Sequence, residues 1–250
     1  MLLNLLQASN EAQSQLMTNL TTSEAFLMVI AVGVIGMIVQ WRLRSVMNKY
    51  SQEPIPGGMT GAEIAERMLR ENGINDVRVT HTRGYLSDHY NPLSKTVNLS
   101  EGVYYGRSIT AAAVACHECG HALQHAQGYA PLKMRSALVP LVNISSNMAS
   151  WFVIIGLIMT ASSGSQTMCW VGVGLMCISA LFSIITLPVE YNASNRALAW
   201  LSTSRILVAE EIDGAKTALR WAARTYLVAA LSAIASILYY VALINGRHRD

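Results

Sequence analysis

The chain has 250 residues, of which 52% are apolar and only 13% are charged. Soluble domains carry about 25% charged residues, so this balance argues against a soluble protein and favours a membrane protein. The net charge is +3, but the sequence does not interleave basic and aromatic residues, and this argues against a nucleic-acid partner. The four cysteines show no disulfide framework and fit a reducing compartment.

Four apolar windows approach the roughly 20 residues that a helix needs to cross a bilayer. They predict transmembrane helices at 25–41, 136–161, 168–187 and 225–244. We therefore expect a mainly α integral membrane protein with about four spans and the lipid bilayer as a partner; a homo-oligomer is left open. Segment 1–24 lacks the basic region of a cleaved signal, so it is predicted to be an extracytoplasmic leader before a retained first span.

Basic residues are concentrated between the first and second spans and between the third and fourth, which together hold 16 of the 18. Basic loops remain on the cytoplasmic side of a membrane, so the N-terminus is predicted outside and both long loops inside. The expected location is the cell (inner/cytoplasmic) membrane, with multiple passes. Residues 42–135 would form a cytoplasmic domain, and 188–224 a second cytoplasmic segment.

Two helices are predicted in the first loop. Thr60-Gly-Ala-Glu63 has the form of a capping box and indicates a helix over about 61–72. Ser108 is a suitable N-cap for a second helix, from about 109 to 127, that ends at Gly128. The small apolar residues of its first half indicate that this second helix is buried on all sides.

A small sheet is predicted between these helices, because residues 77–79 and 96–99 alternate and turn-forming residues separate them. The strand that contains Val97, Asn98 and Leu99 has two alternative roles. It could pair as an edge strand with an extended substrate, or it could only cover the neighbouring helix.

The second helix contains the pattern H-E-x-x-H at His117, Glu118 and His121. Positions i and i+4 lie on the same side of a helix, so both imidazoles can reach one zinc ion at roughly 2.0–2.1 Å. Glu118 lies about 100° further round, beside the ion, where its carboxylate can act as general base towards the attacking water. The pattern predicts a catalytic site with one Zn²⁺ per chain.

A catalytic zinc ion needs a third protein ligand and one open position. The downstream acidic residues are Glu190, Glu210, Glu211, Asp213 and Asp250. Glu190 is preferred, because it follows Pro188, a suitable first-turn residue of a new helix, where the third span returns to the cytoplasm. Its alternative role is a favourable charge at a helix N-terminus. Glu210 and Glu211 are expected in a charged turn.

Arg196, His125 and Tyr191 are candidates for stabilising the transition state. His125 is a poor third histidine ligand, because positions i, i+4 and i+8 drift around a helix. Cys116 and Cys119 form C-x-x-C, but they flank the histidines on other helical faces. They are predicted to be small buried side chains rather than a redox pair or zinc thiolates.

Several segments, in order along the chain, resemble the bacterial YugP-like family of neutral zinc membrane metallopeptidases. They are Asp88-His-Tyr-Asn-Pro92, Thr96-Val-Asn-Leu-Ser100, residues 117–126, Tyr129-Ala-Pro-Leu132 and residues 187–197. The resemblance implies a cytoplasmic, zincin-like α+β metalloprotease domain. It also implies endopeptidase action on membrane or unfolded proteins at the cytoplasmic face.

The arrangement is more distantly similar to HtpX-like membrane proteases and CAAX prenyl proteases, in which a later E-x-x-x-D pattern supplies the third ligand. By position, Glu190 matches that glutamate, and Ser194 stands where those families have the aspartate. The resemblance thus puts Asn192 or Asn195 forward as a residue that orients the histidines instead.

Two other functions compete with proteolysis. A non-catalytic membrane scaffold or assembly factor would have a structural metal, whose site is closed by a fourth protein ligand such as Cys119 or His125. A transporter is the weaker alternative, because its polar site would lie in the middle of the spans.

Overall fold

The computed structural model describes residues 20–246. Helices α1 to α7 comprise Thr22–Ser51, Gly61–Glu71, Glu101–Tyr104, Ile109–Ala126, Ala130–Ser163, Thr167–Ser204 and Ala209–Gly246. Strands β1 to β3 comprise Arg78–Thr82, His89–Asn91 and Thr96–Ser100. The described chain divides into two compact units, one of residues 37–137 and 184–227 and one of residues 20–36, 138–183 and 228–246.

Four of these helices, α1, α5, α6 and α7, are long and apolar enough to cross a membrane. The prediction of a mainly helical chain with four candidate spans and a small sheet is therefore confirmed. Large apolar side chains of the second unit are well exposed, among them Leu27 at 63%, Trp151 at 66% and Ile158 at 64%. Such exposure is costly in water and natural in contact with lipid.

The prediction that Pro188 begins a new helix is wrong. Helix α6 runs without a break through Pro188 as far as Ser204. A proline inside a helix removes one backbone hydrogen bond, and packing around the helix can keep it continuous. The neighbouring Val189 and Glu190 are 0% and 1% exposed, so the helix is closely packed just after the proline. Glu190 therefore lies within a long helix rather than at the start of one.

The prediction of a charged turn at Glu210 and Glu211 is also wrong, because both residues lie in the first turn of α7. The Glu211 carboxylate accepts a hydrogen bond from the backbone N–H of Val208 at 2.8 Å. Acidic side chains in a first turn satisfy free backbone donors and complement the helix dipole, which explains why a charged segment is helical here.

The predicted helix caps of the loop are confirmed. Thr60 and Glu63 form a complete capping box at the start of α2. The Ser108 hydroxyl accepts a hydrogen bond from the Ala111 N–H at the start of α4, and Gly128 follows the end of α4 with φ +66°. Residues 109–116 of α4 are all buried, so this helix lies in the core of the first unit.

The sheet has the order β1-β3-β2, with β3 parallel to β1 and antiparallel to β2. Val97 and Asn98 of β3 thus have a neighbouring strand on each side, whereas Leu99 pairs only with His81 of β1. Val97 and Leu99 are fully buried in the core. The edge-pairing role considered for this strand is therefore wrong, because β3 is the central strand of the sheet. The alternative, a strand that covers the core helices, is the one observed.

Helices α4 and α6 come into close backbone contact at Gly120. A Cβ atom on Gly120 would lie 2.6 Å from the carbonyl oxygen of Ala193. Since real Cβ atoms do not approach an oxygen so closely, glycine is required for this spacing. The contact lies between His117 and His121 on α4 and beside Glu190 and Ser194 on α6, so it sets the distance between the two helices at the site.

We predict that Gly120→Ala destabilises the protein by about 1–3 kcal/mol, because the added methyl group would push α4 and α6 apart. Thermal unfolding of the full chain in detergent measures this as a lowered Tm. Gly102→Ala is the matched control, because a Cβ there meets no atom within 4 Å. A Tm for Gly120→Ala equal to that of the control would contradict the role assigned to this contact.

Candidate metal centre

His117, His121 and Glu190 converge on one point between α4 and α6. Glu190 Oε2 lies 3.2 Å from His117 Nε2 and 3.6 Å from His121 Nε2. One candidate ligand atom from each residue lies within 4.8 Å of the other two. The structure thus brings together the three residues that the sequence predicts as ligands, and they could bind a metal ion.

Each histidine ring is held in place through its second nitrogen. His117 Nδ1 lies 3.1 Å from the Ser194 hydroxyl, and His121 Nδ1 lies 3.0 Å from Gln124 Oε1. Because an amide oxygen only accepts, His121 must carry its proton on Nδ1 in this contact, which leaves Nε2 free to bind a metal. Such partners on the far nitrogen are the usual means of fixing a metal-binding imidazole.

Gln124 is itself fixed by α6. Its Nε2 donates to the Val189 carbonyl at 2.8 Å and to Asn192 Oδ1 at 3.0 Å. Arg196 Nε donates to the same Asn192 oxygen at 2.7 Å. Asn192 therefore acts on His121 through Gln124 rather than by direct contact.

The Glu190 carboxylate is almost completely buried, with 1% of the residue exposed. Its Oε1 has no hydrogen bond of good geometry, although Arg135 Nη1 is 3.3 Å away. Two imidazole nitrogens and one carboxylate oxygen form a donor set that zinc prefers. A cation bound among them would also compensate a carboxylate that burial otherwise penalises. The residues present therefore fit a zinc ion.

Glu118 lies next to these groups without belonging to them. It is 7% exposed and lines a cavity together with His117, Glu190, Ser194 and Tyr226. A carboxylate in this position can exchange a proton with a molecule that enters the cavity. The arrangement therefore combines three possible metal ligands with a separate carboxylate at the cavity.

The surrounding charges act on His121. Burial alone would lower the pKa of His121, but its close contact with Glu190 and the charges of Glu118 and Glu190 raise that pKa above the ordinary value. The same negative field favours a bound cation. Burial raises the pKa of the Cys116 and Cys119 thiols, so both are neutral. The Cys119 thiol donates to the Ala65 carbonyl at 3.6 Å, as a small buried side chain would.

The three residues predicted to stabilise the transition state lie elsewhere. Arg196 contacts Asn192 and Gln127, and His125 Nδ1 lies 2.7 Å from the Tyr90 hydroxyl. Tyr191 is 44% exposed. Among the described residues, none of the three lines the cavity beside Glu118.

Sequence reasoning missed four residues that the structure places at the site: Gln124, Ser194 as a partner of His117, Arg135 and Tyr226. Ser194 was noticed only as a replacement for an aspartate. Gln124 stands three residues after His121, and this spacing could have indicated a contact within one helix face. Tyr226 lies at the start of a predicted apolar span, and Arg135 lies directly before another, so hydropathy gave no sign of either role.

Comparisons with known proteins agree with this chemistry. A family model described as "Putative neutral zinc metallopeptidase" matches residues 25–245. The chain is also 41% identical over 226 residues to the "Putative membrane protease YugP" of Bacillus subtilis (strain 168), an alignment that covers 90% of this chain and 98% of that protein. A search of solved structures gives no match. The family match includes all three candidate ligands and Glu118, and the chain therefore belongs to the neutral zinc metallopeptidase family.

Proposed function

We propose that this protein is a membrane-embedded zinc endopeptidase that hydrolyses peptide bonds of membrane or unfolded proteins. The observation that carries the proposal is the convergence of His117 Nε2, His121 Nε2 and Glu190 Oε2 in a buried site, with Glu118 beside them at a cavity. The family match and the name of the Bacillus subtilis relative support the same activity.

His117, His121 and Glu190 would hold the zinc ion. When bound, the ion supplies Lewis-acid polarisation of the scissile carbonyl and lowers the pKa of the attacking water towards about 7. Glu118 accepts the proton of that water and then donates it to the leaving amine. Ser194 and Gln124 keep both imidazoles turned towards Glu190, so the ligands do not have to reorganise during a turnover.

Tyr226 is proposed as the group that steadies the developing oxyanion, in place of Arg196, His125 and Tyr191. It lines the same cavity as Glu118, His117 and Glu190. A tyrosine hydroxyl in this lining could donate a hydrogen bond to the oxygen that develops negative charge. Arg135, which is close to Glu190, is assigned a positioning role towards that ligand.

A structural metal site in a non-catalytic scaffold is the main alternative, and it needs a fourth protein ligand. The two residues considered for that position have other partners, because Cys119 contacts Ala65 and His125 contacts Tyr90. Within residues 20–246, the metal-binding group consists of three side chains only. This composition favours an open site over a closed one.

The proposed location is the cell membrane with the site facing the cytoplasm. The support is the distribution of basic residues, 16 of which lie in the two long loops that also carry His117, His121 and Glu190. Arg247 and Arg249, the two that would face outside, are beyond the described residues.

We predict about one zinc ion per chain in the detergent-purified wild type, and at least a tenfold lower content in His121→Ala and in Glu190→Ala. Each change removes one of only three ligands. Elemental analysis by mass spectrometry measures the content. His81→Ala is the control, because His81 contacts the rings of Tyr104 and Tyr105 and does not belong to the metal-binding group. Full zinc content in Glu190→Ala would show that the third ligand is another residue.

We predict that Glu118→Gln keeps its zinc and loses proteolysis by about 10²–10⁴-fold, because glutamine preserves the size of the side chain and removes the acid–base group. The measurement is cleavage of an unfolded substrate such as casein, followed on gels beside the zinc content of the same sample. Turnover at the wild-type rate would exclude Glu118 as the general base.

We predict that Tyr226→Phe lowers kcat about 10²–10³-fold with little change in KM or zinc content, as expected for a donor that acts in the transition state. Steady-state kinetics on a fluorogenic peptide measures the two constants separately. Tyr191→Phe serves as the control and should behave as wild type, since Tyr191 does not line the cavity. Equal constants for Tyr226→Phe and wild type would remove this residue from the mechanism.

A further inference from the structure

A cavity of about 160 Å³ lies beside Glu118, and much of its lining is apolar. The apolar lining includes Leu43 and Met47 of α1, Val114 of α4, and Leu219 and Ala222 of α7. These side chains belong to different helices of the same compact unit, and Leu86, in the loop between β1 and β2, adds to the apolar lining.

The volume limits what the cavity can hold. Sites for small organic ligands usually measure about 300–1,000 Å³, so this cavity is too small for a cofactor. An apolar cavity of about 150 Å³ holds a benzene-sized group, which is close to the size of a leucine or isoleucine side chain. The cavity therefore matches one aliphatic side chain of a peptide.

The polar groups of the cavity do not favour a charged side chain. Asp88 also lines it, but its carboxylate accepts hydrogen bonds from the backbone N–H and the hydroxyl of Ser100 at 2.7 and 3.0 Å. Glu190 faces the two histidines and Arg135. An acidic side chain would meet Glu118 and Glu190, and a basic one would lose its hydration against the apolar lining.

We propose that this cavity is the specificity pocket of the enzyme and receives an aliphatic side chain next to the scissile bond. The inference rests on the proposed function, because Glu118 and the candidate ligands define where that bond lies. Ala222 of α7 is a small, partly buried residue of the apolar lining. A larger side chain at position 222 would fill the space that the aliphatic side chain of the substrate needs.

In the first test, the full-length protein digests a peptide library prepared from an unfolded proteome, and the cleavage sites in that library are mapped. Two peptides that differ only by leucine or glycine beside the scissile bond are then compared. We expect kcat/KM to favour leucine by at least about tenfold, as apolar pockets do. Ala222→Phe should lower cleavage of the leucine peptide by at least about tenfold and leave the glycine peptide within about twofold. Ala199→Phe is the control, since Ala199 is exposed on α6 and outside the pocket.

A second test measures binding without turnover. Two peptide hydroxamates, one with an isobutyl group and one with hydrogen at the same carbon, are titrated calorimetrically into the zinc-loaded protein. Wild type and Ala199→Phe should bind the isobutyl compound at least about tenfold more tightly, and Ala222→Phe should lose this preference. Ala222→Val is the milder variant, to be used in place of Ala222→Phe if the latter loses zinc.

The outcomes separate this inference from the proposed function. A wild type that prefers isobutyl but cleaves no peptide would support the pocket and contradict the protease. Two results would contradict the proposed pocket and leave the proposed protease activity supported. One is cleavage with no preference for aliphatic residues. The other is an aliphatic preference that stays unchanged in zinc-loaded Ala222→Phe or Ala222→Val.

Discussion

The burial of Glu190 is the constraint on which the site depends. An ionised carboxylate with 1% exposure is stable only if other groups compensate its charge. Here one oxygen faces the Nε2 atoms of His117 and His121, and Arg135 approaches the other. This compensation works only while α4 and α6 stay as close as Gly120 allows. Packing and electrostatics are therefore linked at one contact.

The remaining polar groups around the site keep the histidines facing this carboxylate. Ser194 and Gln124 bind the far nitrogen of each ring, and Asn192 and Arg196 fix Gln124 in turn. Most of these partners lie on α6, the helix that also carries Glu190. Helix α6 thus supplies one candidate ligand, the partner of His117, and the groups that hold Gln124 against His121.

Local patterns in the sequence predicted the parts of the structure that depend on neighbouring residues. The capping box at Thr60, the N-cap at Ser108 and the spacing of His117 and His121 each involve one helix, and the structure contains all three. Long-range partners were harder to predict. The prediction of Glu190 as a ligand depends in part on a helix start at Pro188, but the structure has a continuous helix there. Tyr226 lies in a predicted apolar span, where hydropathy does not indicate a polar role. The order of the strands, which makes β3 central, is likewise set by pairing between distant segments.

The measurement that tests the open, three-ligand zinc site most directly is zinc X-ray absorption on the purified full-length protein, because it reports the number and type of atoms bound to the ion. We predict only nitrogen and oxygen neighbours at roughly 2.0–2.2 Å, with a two-imidazole signal and an exchangeable water completing the site. A sulfur neighbour at about 2.3 Å, or a third imidazole, bound in place of the exchangeable water would show that Cys119 or His125 closes the site. The centre would then be structural, and its assignment as a hydrolytic site would be wrong.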